Sequence, residues 1–120
     1  MNITIKTEVT DEMLDSILCT AFEGGINYWC NRIKVVDDDY KGAEFASECV
    51  SKGGEVDIIV DDIVVDDHIE ESAYRLTKDK LHKGCQKYAD QKNHFDYQGF
   101  DAWDADMIVQ YAIFDDVIYG

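Results

Sequence analysis

The spacing of apolar residues changes period several times along the chain, and each change marks an element. In residues 2–9, Ile3, Ile5, Thr7 and Val9 alternate with Thr4, Lys6 and Glu8, the pattern of a half-buried strand. From Met13 the spacing becomes helical: Met13, Leu14, Ile17, Leu18, Ala21 and Phe22 form one stripe. Thr10 stands at the N-cap, with Asp11 and Glu12 in the first turn, where the positive helix end favours acids. Gly24-Gly25 is expected to stop the helix, because glycine past the end takes the left-handed conformation at little cost. The stretch 26–32 has no clear period. Residues 33–36 predict a strand, closed by the solvated turn Asp37-Asp38-Asp39. Residues 43–51 predict a short helix stopped by Gly53-Gly54.

Residues 56–60 read as an apolar strand, which 63–65 either extend or pair with. Asp61-Asp62 is then the turn of a hairpin, unless 61–71 forms one long acidic loop. Residues 73–76 predict another strand. Thr77 caps a helix to about residue 91, with Leu81, Gly84, Cys85 and Tyr88 on one side. Gly84 in mid-helix costs about 1 kcal/mol against alanine, a cost that points to close approach by another helix or a ligand. Residues 91–99 form a polar loop carrying Asn93, His94, Phe95 and Tyr97. Asp101 or Asp104 starts the last helix. Ala105, Ile108, Val109, Ala112 and Ile113 make one apolar face of it, and Met107, Tyr111 and Phe114 a second. A helix apolar over more than half its circumference is buried on two sides. The first face is assigned to the sheet and the second to a subunit contact. Residues 117–119 predict a closing strand. These elements amount to a single α+β domain over residues 1–120, a small mixed or antiparallel sheet packed with about three helices.

Charge narrows the functional classes. The chain has 120 residues, with 11 Lys+Arg against 26 Asp+Glu and a net charge of −15. That argues against direct binding of nucleic acid or of an anionic membrane. It leaves room for a protein that imitates nucleic acid, or for a plain solvated acidic surface. The N-terminus has no long apolar run, so neither a signal peptide nor a membrane span is expected, and a cytoplasmic location follows. Cys19, Cys30, Cys49 and Cys85 lack C-x-x-C spacing and read as reduced core residues. They have no paired spacing to His68, His82 or His94 that would suit zinc. Asp37-Asp38-Asp39, followed by Gly42 and Glu44, does not fit a calcium loop. The other acidic pairs are Asp61-Asp62, Asp66-Asp67, Glu70-Glu71 and Asp115-Asp116. No cofactor or metal is expected. Neither His82 nor His94 belongs to a nucleophile motif, and no Gly-rich phosphate loop is present, so an enzyme is not expected.

The stretch most suggestive of binding is Gly24-Gly25-Ile26-Asn27-Tyr28-Trp29-Cys30-Asn31-Arg32. Tyr28 and Trp29 can stack on a base, and Arg32 can fork onto a phosphate. The competing reading is a helix end followed by aromatic core residues. Arg32 and Arg75 are the two arginines among the basic residues, and arginine suits bidentate recognition of phosphate or carboxylate. Each can equally pair with a neighbouring acid.

Residues 21–32, the run Tyr74-Arg75-Leu76-Thr77-Lys78, and residues 101–114 together resemble small proteins of phages and prophages of Gram-positive bacteria, in particular the phage Thoeris anti-defence family. The resemblance implies a homo-oligomeric sponge with ligand held at subunit contacts. Such a sponge binds a cyclic ADP-ribose signal made by a host TIR-domain protein without cleaving it. Some members also hold cyclic oligonucleotides at a separate site. The chemistry of the side chains then nominates Arg32 and Arg75 for phosphates, and Tyr28, Trp29 and Phe95 for stacking on adenine. Asn27, Asn31 and Asn93 are nominated for hydrogen bonds to ribose or base, and Met107, Tyr111 and Phe114 for the subunit contact. The acidity departs from this pattern, since a pyrophosphate enters such a field only where the site is locally positive. The competing expectation is an acidic DNA-mimic inhibitor of a host nuclease, of the anti-CRISPR or anti-restriction kind.

Overall fold

Thr10 opens the first helix, α1 (Asp11–Thr20), through a reciprocal cap. Its hydroxyl accepts from the Met13 amide at 3.2 Å, and the Met13 sulfur accepts from the Thr10 amide at 3.4 Å. The computed structural model describes residues 8–65, 68–92, 95 and 99–120, with the backbone alone at 62–65 and 68–69. Met13, Leu14, Ile17 and Leu18 point into the core, as their spacing predicts. The helix widens into one π-helical turn, Ala21–Gly25. Gly24 has φ 171°, so the glycine pair does not end the helix through a left-handed residue as expected. Gly25 is there for proximity: a Cβ on it would lie 2.9 Å from the Ala102 carbonyl oxygen.

A hydrogen-bonded turn follows, in which the Trp29 and Cys30 amides both donate to the Ile26 carbonyl. It delivers β1 (Arg32–Val35). α2 (Ala46–Cys49) is shorter than expected and runs into a 3₁₀ turn, Val50–Lys52, closed by Gly53 at φ 92°. Then come β2 (Val56–Val65), β3 (His68–Leu76), α3 (Lys78–Lys92) and α4 (Ala102–Phe114). The strands form one antiparallel sheet in the order β1-β2-β3. With the helices packed on it, this is the expected α+β class. β2 is one continuous strand with a bulge between Asp61 and Ile63. Asp61-Asp62 is therefore neither a hairpin turn nor part of a long loop; the extra residue is absorbed within the ladder. β1 pairs only with Val56–Ile59, so the far half of β2 pairs with β3 alone.

Period-two alternation divides the sheet into two faces. Val35, Val56, Ile58, Val60 and Leu76 are buried in the core. Arg32, Lys34, Asp57, Asp61, Glu71 and Arg75 lie on the other face by the strand register. α4 crosses the core and is buried continuously from Ala105 to Gln110. Asp101 caps it, accepting from the Asp104 amide at 3.1 Å. On α3, Leu81, Gly84, Cys85 and Tyr88 are the buried positions, as predicted. Gly84 is where α3 and α4 meet: a Cβ would lie 2.5 Å from the Ile108 carbonyl oxygen and 2.9 Å from the Ala112 Cβ.

Two expected strands differ. Residues 117–119 form none; the Ile118 and Tyr119 amides donate to the Gln110 side-chain oxygen at 2.8 and 2.9 Å, so a side chain replaces a ladder. Of the strand expected at 2–9, residues 1–7 lie outside the described residues, and Glu8 and Val9 are not in a strand. Asp66-Asp67, Asn93, His94 and Tyr97 also lie outside the described residues.

Gly84→Ala is expected to lower unfolding stability by about 1–3 kcal/mol through overpacking, against a gain of about 1 kcal/mol in helix propensity. Urea denaturation measures the balance; unchanged or raised stability would show that the helices can separate freely.

Candidate functional site

The stretch 26–32 divides between core and surface. Trp29 is buried, stacked on Tyr119 with centroids 5.2 Å apart and planes 4° apart, and tilted against Phe114 at 5.6 Å. Its indole Nε1 donates to Asp106 Oδ1 at 2.7 Å. The ring is thus occupied by its own chain and offers no face to adenine. Tyr28 is 57% exposed, but its hydroxyl donates to the Asp106 Oδ2. Partial desolvation, and then this bond to a carboxylate, push the Tyr28 phenol up to about 12. Asn27 is exposed.

Asp106 is the centre of this network and is 1% exposed. Besides Tyr28 and Trp29 it accepts from the Gln110 Nε2 at 2.9 Å. Gln110 in turn donates to the Tyr119 carbonyl at 3.2 Å. The available signal in the sequence is that Asp106 and Gln110 stand four apart on a largely apolar helix; they share a face and can meet.

Phe95 belongs elsewhere. It packs edge-on against Phe100 at 5.1 Å and Tyr88 at 6.3 Å, and the Tyr88 hydroxyl donates to Asp104 Oδ1 at 2.6 Å. Asp104 and Asp106 are two positions apart on α4, so they project about 200° apart. Phe95 and the pair Tyr28-Trp29 therefore do not line one site.

Both arginines stand on the exposed face of the sheet, already paired. Arg32 Nη2 lies 3.2 Å from Glu71 Oε1. Arg75 forks onto Asp57 at 2.6 and 3.4 Å and reaches Glu55 at 3.2 Å. The bonds from Asp57 and Glu55 hold the Arg75 guanidinium above its already high range. The Asn31 amide donates to Asp61 and Glu71, both at 3.1 Å. Among the described residues, the carboxylates of Glu55, Asp57, Asp61 and Glu71 thus outnumber the cations of Arg32, Lys34 and Arg75 on this face.

The second face of α4 is largely filled from within. Met107 is buried, and Phe114 packs on Trp29, Tyr74 and Tyr119. Tyr111 is half-buried, with the Lys87 ammonium 5.8 Å from its ring centroid. Burial pushes the thiols of Cys19, Cys30, Cys49 and Cys85 up, Cys85 to about 12, so none is an activated thiolate. Among the described residues, no group of three or more His, Cys, Asp or Glu is arranged to hold a metal ion, and no helix is long and apolar enough to cross a membrane.

A cleft that the sequence did not signal opens between α1 and α2. Its volume is about 450 Å³ and its lining includes Asp15, Cys19, Phe22, Glu23, Phe45 and Glu48. These residues come from two elements with no shared motif.

No known protein family, curated protein or solved structure matches the chain.

Tyr28 gives a pH signature. An unfolded tyrosine titrates near 10, and the folded phenol is raised to about 12. The raised value favours the folded state fully below pH about 10, and that contribution is lost as pH rises through about 12. The difference in tyrosinate absorbance between wild type and Tyr28→Phe is expected to titrate near 12. A difference titrating near 10 would show that Tyr28 does not donate to Asp106.

Proposed function

We propose that this chain is a non-enzymatic binding protein whose acidic surface occupies the basic nucleic-acid groove of a host nuclease, inside the cytoplasm of the host cell. The observation that carries this reading is the exposed sheet face. Arg32 and Arg75 are each neutralised by carboxylates, and carboxylates remain in excess. Rigid strands space these groups, so a basic groove meets a fixed anionic array and loses little entropy in ordering it. Complementary potential of this kind drives fast, salt-sensitive association.

A second reading, sequestration of a cyclic ADP-ribose-type signal by a homo-oligomer, is favoured by one feature. Arg32 and Arg75 share a solvent face with Asn31, and their side chains remain 59% and 44% exposed. Exposed ion pairs contribute only about 0–1 kcal/mol, so a pyrophosphate can displace Glu71 or Asp57 at small cost.

One variant set separates the two. Purified restriction and CRISPR nucleases are assayed for DNA cleavage, and cyclic ADP-ribose isomers are assayed for retention and intact release on heating. Under the first reading, the triple variant Glu55→Lys, Asp61→Lys, Glu71→Lys loses nuclease inhibition by about a hundredfold while Arg32→Ala retains it. Inhibition insensitive to charge reversal and to salt overturns that reading. Intact nucleotide recovered from wild type and reduced about tenfold in Arg32→Ala supports the second.

A further inference from the structure

The α1–α2 cleft is chemically unlike the sheet face. Cys19, Phe22, Phe45 and Ala46 give it an apolar lining, while Asp15, Glu23 and Glu48 supply carboxylates. Among the described residues, no lysine or arginine lines it. Phe45 is 57% exposed, although it immediately precedes α2. Asp15 Oδ1 is buried and has no hydrogen-bond partner among the described residues. A carboxylate oxygen withdrawn from water without a donor is a costly arrangement and adds to the negative charge beside the cleft. Burial, and then the neighbouring Glu23 and Glu48, push the Cys19 thiol up.

We propose that this cleft is a docking site for a basic amphipathic segment of a partner protein. An apolar side chain of that segment seats against Phe22 and Phe45, and an arginine donates to Glu23 and Glu48. A volume of about 450 Å³ admits a few side chains and is too small for a folded domain. Charge selects the occupant: a second copy of this chain brings net −15 and nucleic acid brings phosphates, both repelled by the carboxylates. Arginine fits better than lysine, because its planar fork matches a carboxylate and also stacks on an aromatic ring. The inference goes beyond the sheet-face reading, since it uses different elements and holds whether or not that face binds a nuclease.

The test is fluorescence polarisation with the full chain and a labelled peptide of alternating Leu-Leu and Arg residues. Its control has the same charge with each leucine replaced by serine. The leucine peptide is expected to bind at least about tenfold tighter than the control, and Phe45→Ser and Glu48→Lys each to weaken it about tenfold. Asp61→Lys on the sheet face is expected to change affinity less than about twofold. Phe45 is exposed, so its replacement leaves the core intact, and circular dichroism checks each variant. Equal binding of both peptides overturns the proposal, because attraction would then be charge alone. Equal loss in Asp61→Lys, or no binding at all, overturns it too, and neither outcome bears on nuclease inhibition.

Discussion

The Asp106 carboxylate, 1% exposed in the middle of α4, is the constraint on which the other contacts depend. A buried charge is tolerated only when donors surround it. Asp106 has Tyr28, Trp29 and Gln110. Hydrogen bonds to a charged group contribute about 1.5–3 kcal/mol each, and removing one partner leaves a buried ion short of a donor. Two of the donors come from the turn between α1 and β1. The third, Gln110, passes the connection on to the amides of Ile118 and Tyr119. Tyr119 then lays its ring on Trp29. One carboxylate thereby joins the turn, the central helix and the C-terminal segment.

This arrangement decides which residues remain for function. Because Asp106 draws Trp29 inward, the Trp29 ring packs in the core, and Tyr28 keeps an exposed ring with a committed hydroxyl. Two other places carry exposed chemistry. One is the sheet face, where β1, β2 and β3 hold arginines among a surplus of carboxylates. The other is the α1–α2 cleft, where aromatic and acidic side chains share one lining. Both present negative charge, consistent with the net charge of the whole chain. They differ in that the sheet face is polar, while the cleft sets an apolar patch beside its carboxylates.

Local signals were legible in the sequence where the physics is local. Thr10, Thr77 and Asp101 cap helices because short polar side chains reach amides three residues on. Leu81, Gly84, Cys85 and Tyr88 are buried because helical spacing puts them on one side. The distant partners were not legible. Trp29 and Asp106 are 77 residues apart, and nothing in the spacing of either names the other. Asp61-Asp62 looked like a turn because paired aspartates favour turns, yet strand pairing on both sides absorbs them in a bulge. Residues 117–119 are apolar enough for a strand, but Gln110 satisfies the Ile118 and Tyr119 amides first. The arginines were identified as recognition residues, and only the strand register reveals that Glu71 and Asp57 already lie within reach of them.

Amide hydrogen exchange on the wild-type protein, compared with Asp106→Asn, tests the role of Asp106 most directly. The Ile118 and Tyr119 amides lie outside any helix or strand, and they are protected only if Gln110 is held as an acceptor. They are expected to exchange as slowly as amides in α4 in the wild type, and to lose that protection selectively in Asp106→Asn while α3 keeps its own. Rapid exchange of both amides in the wild type, or equal protection in the two proteins, would contradict the claim that Asp106 organises this fold.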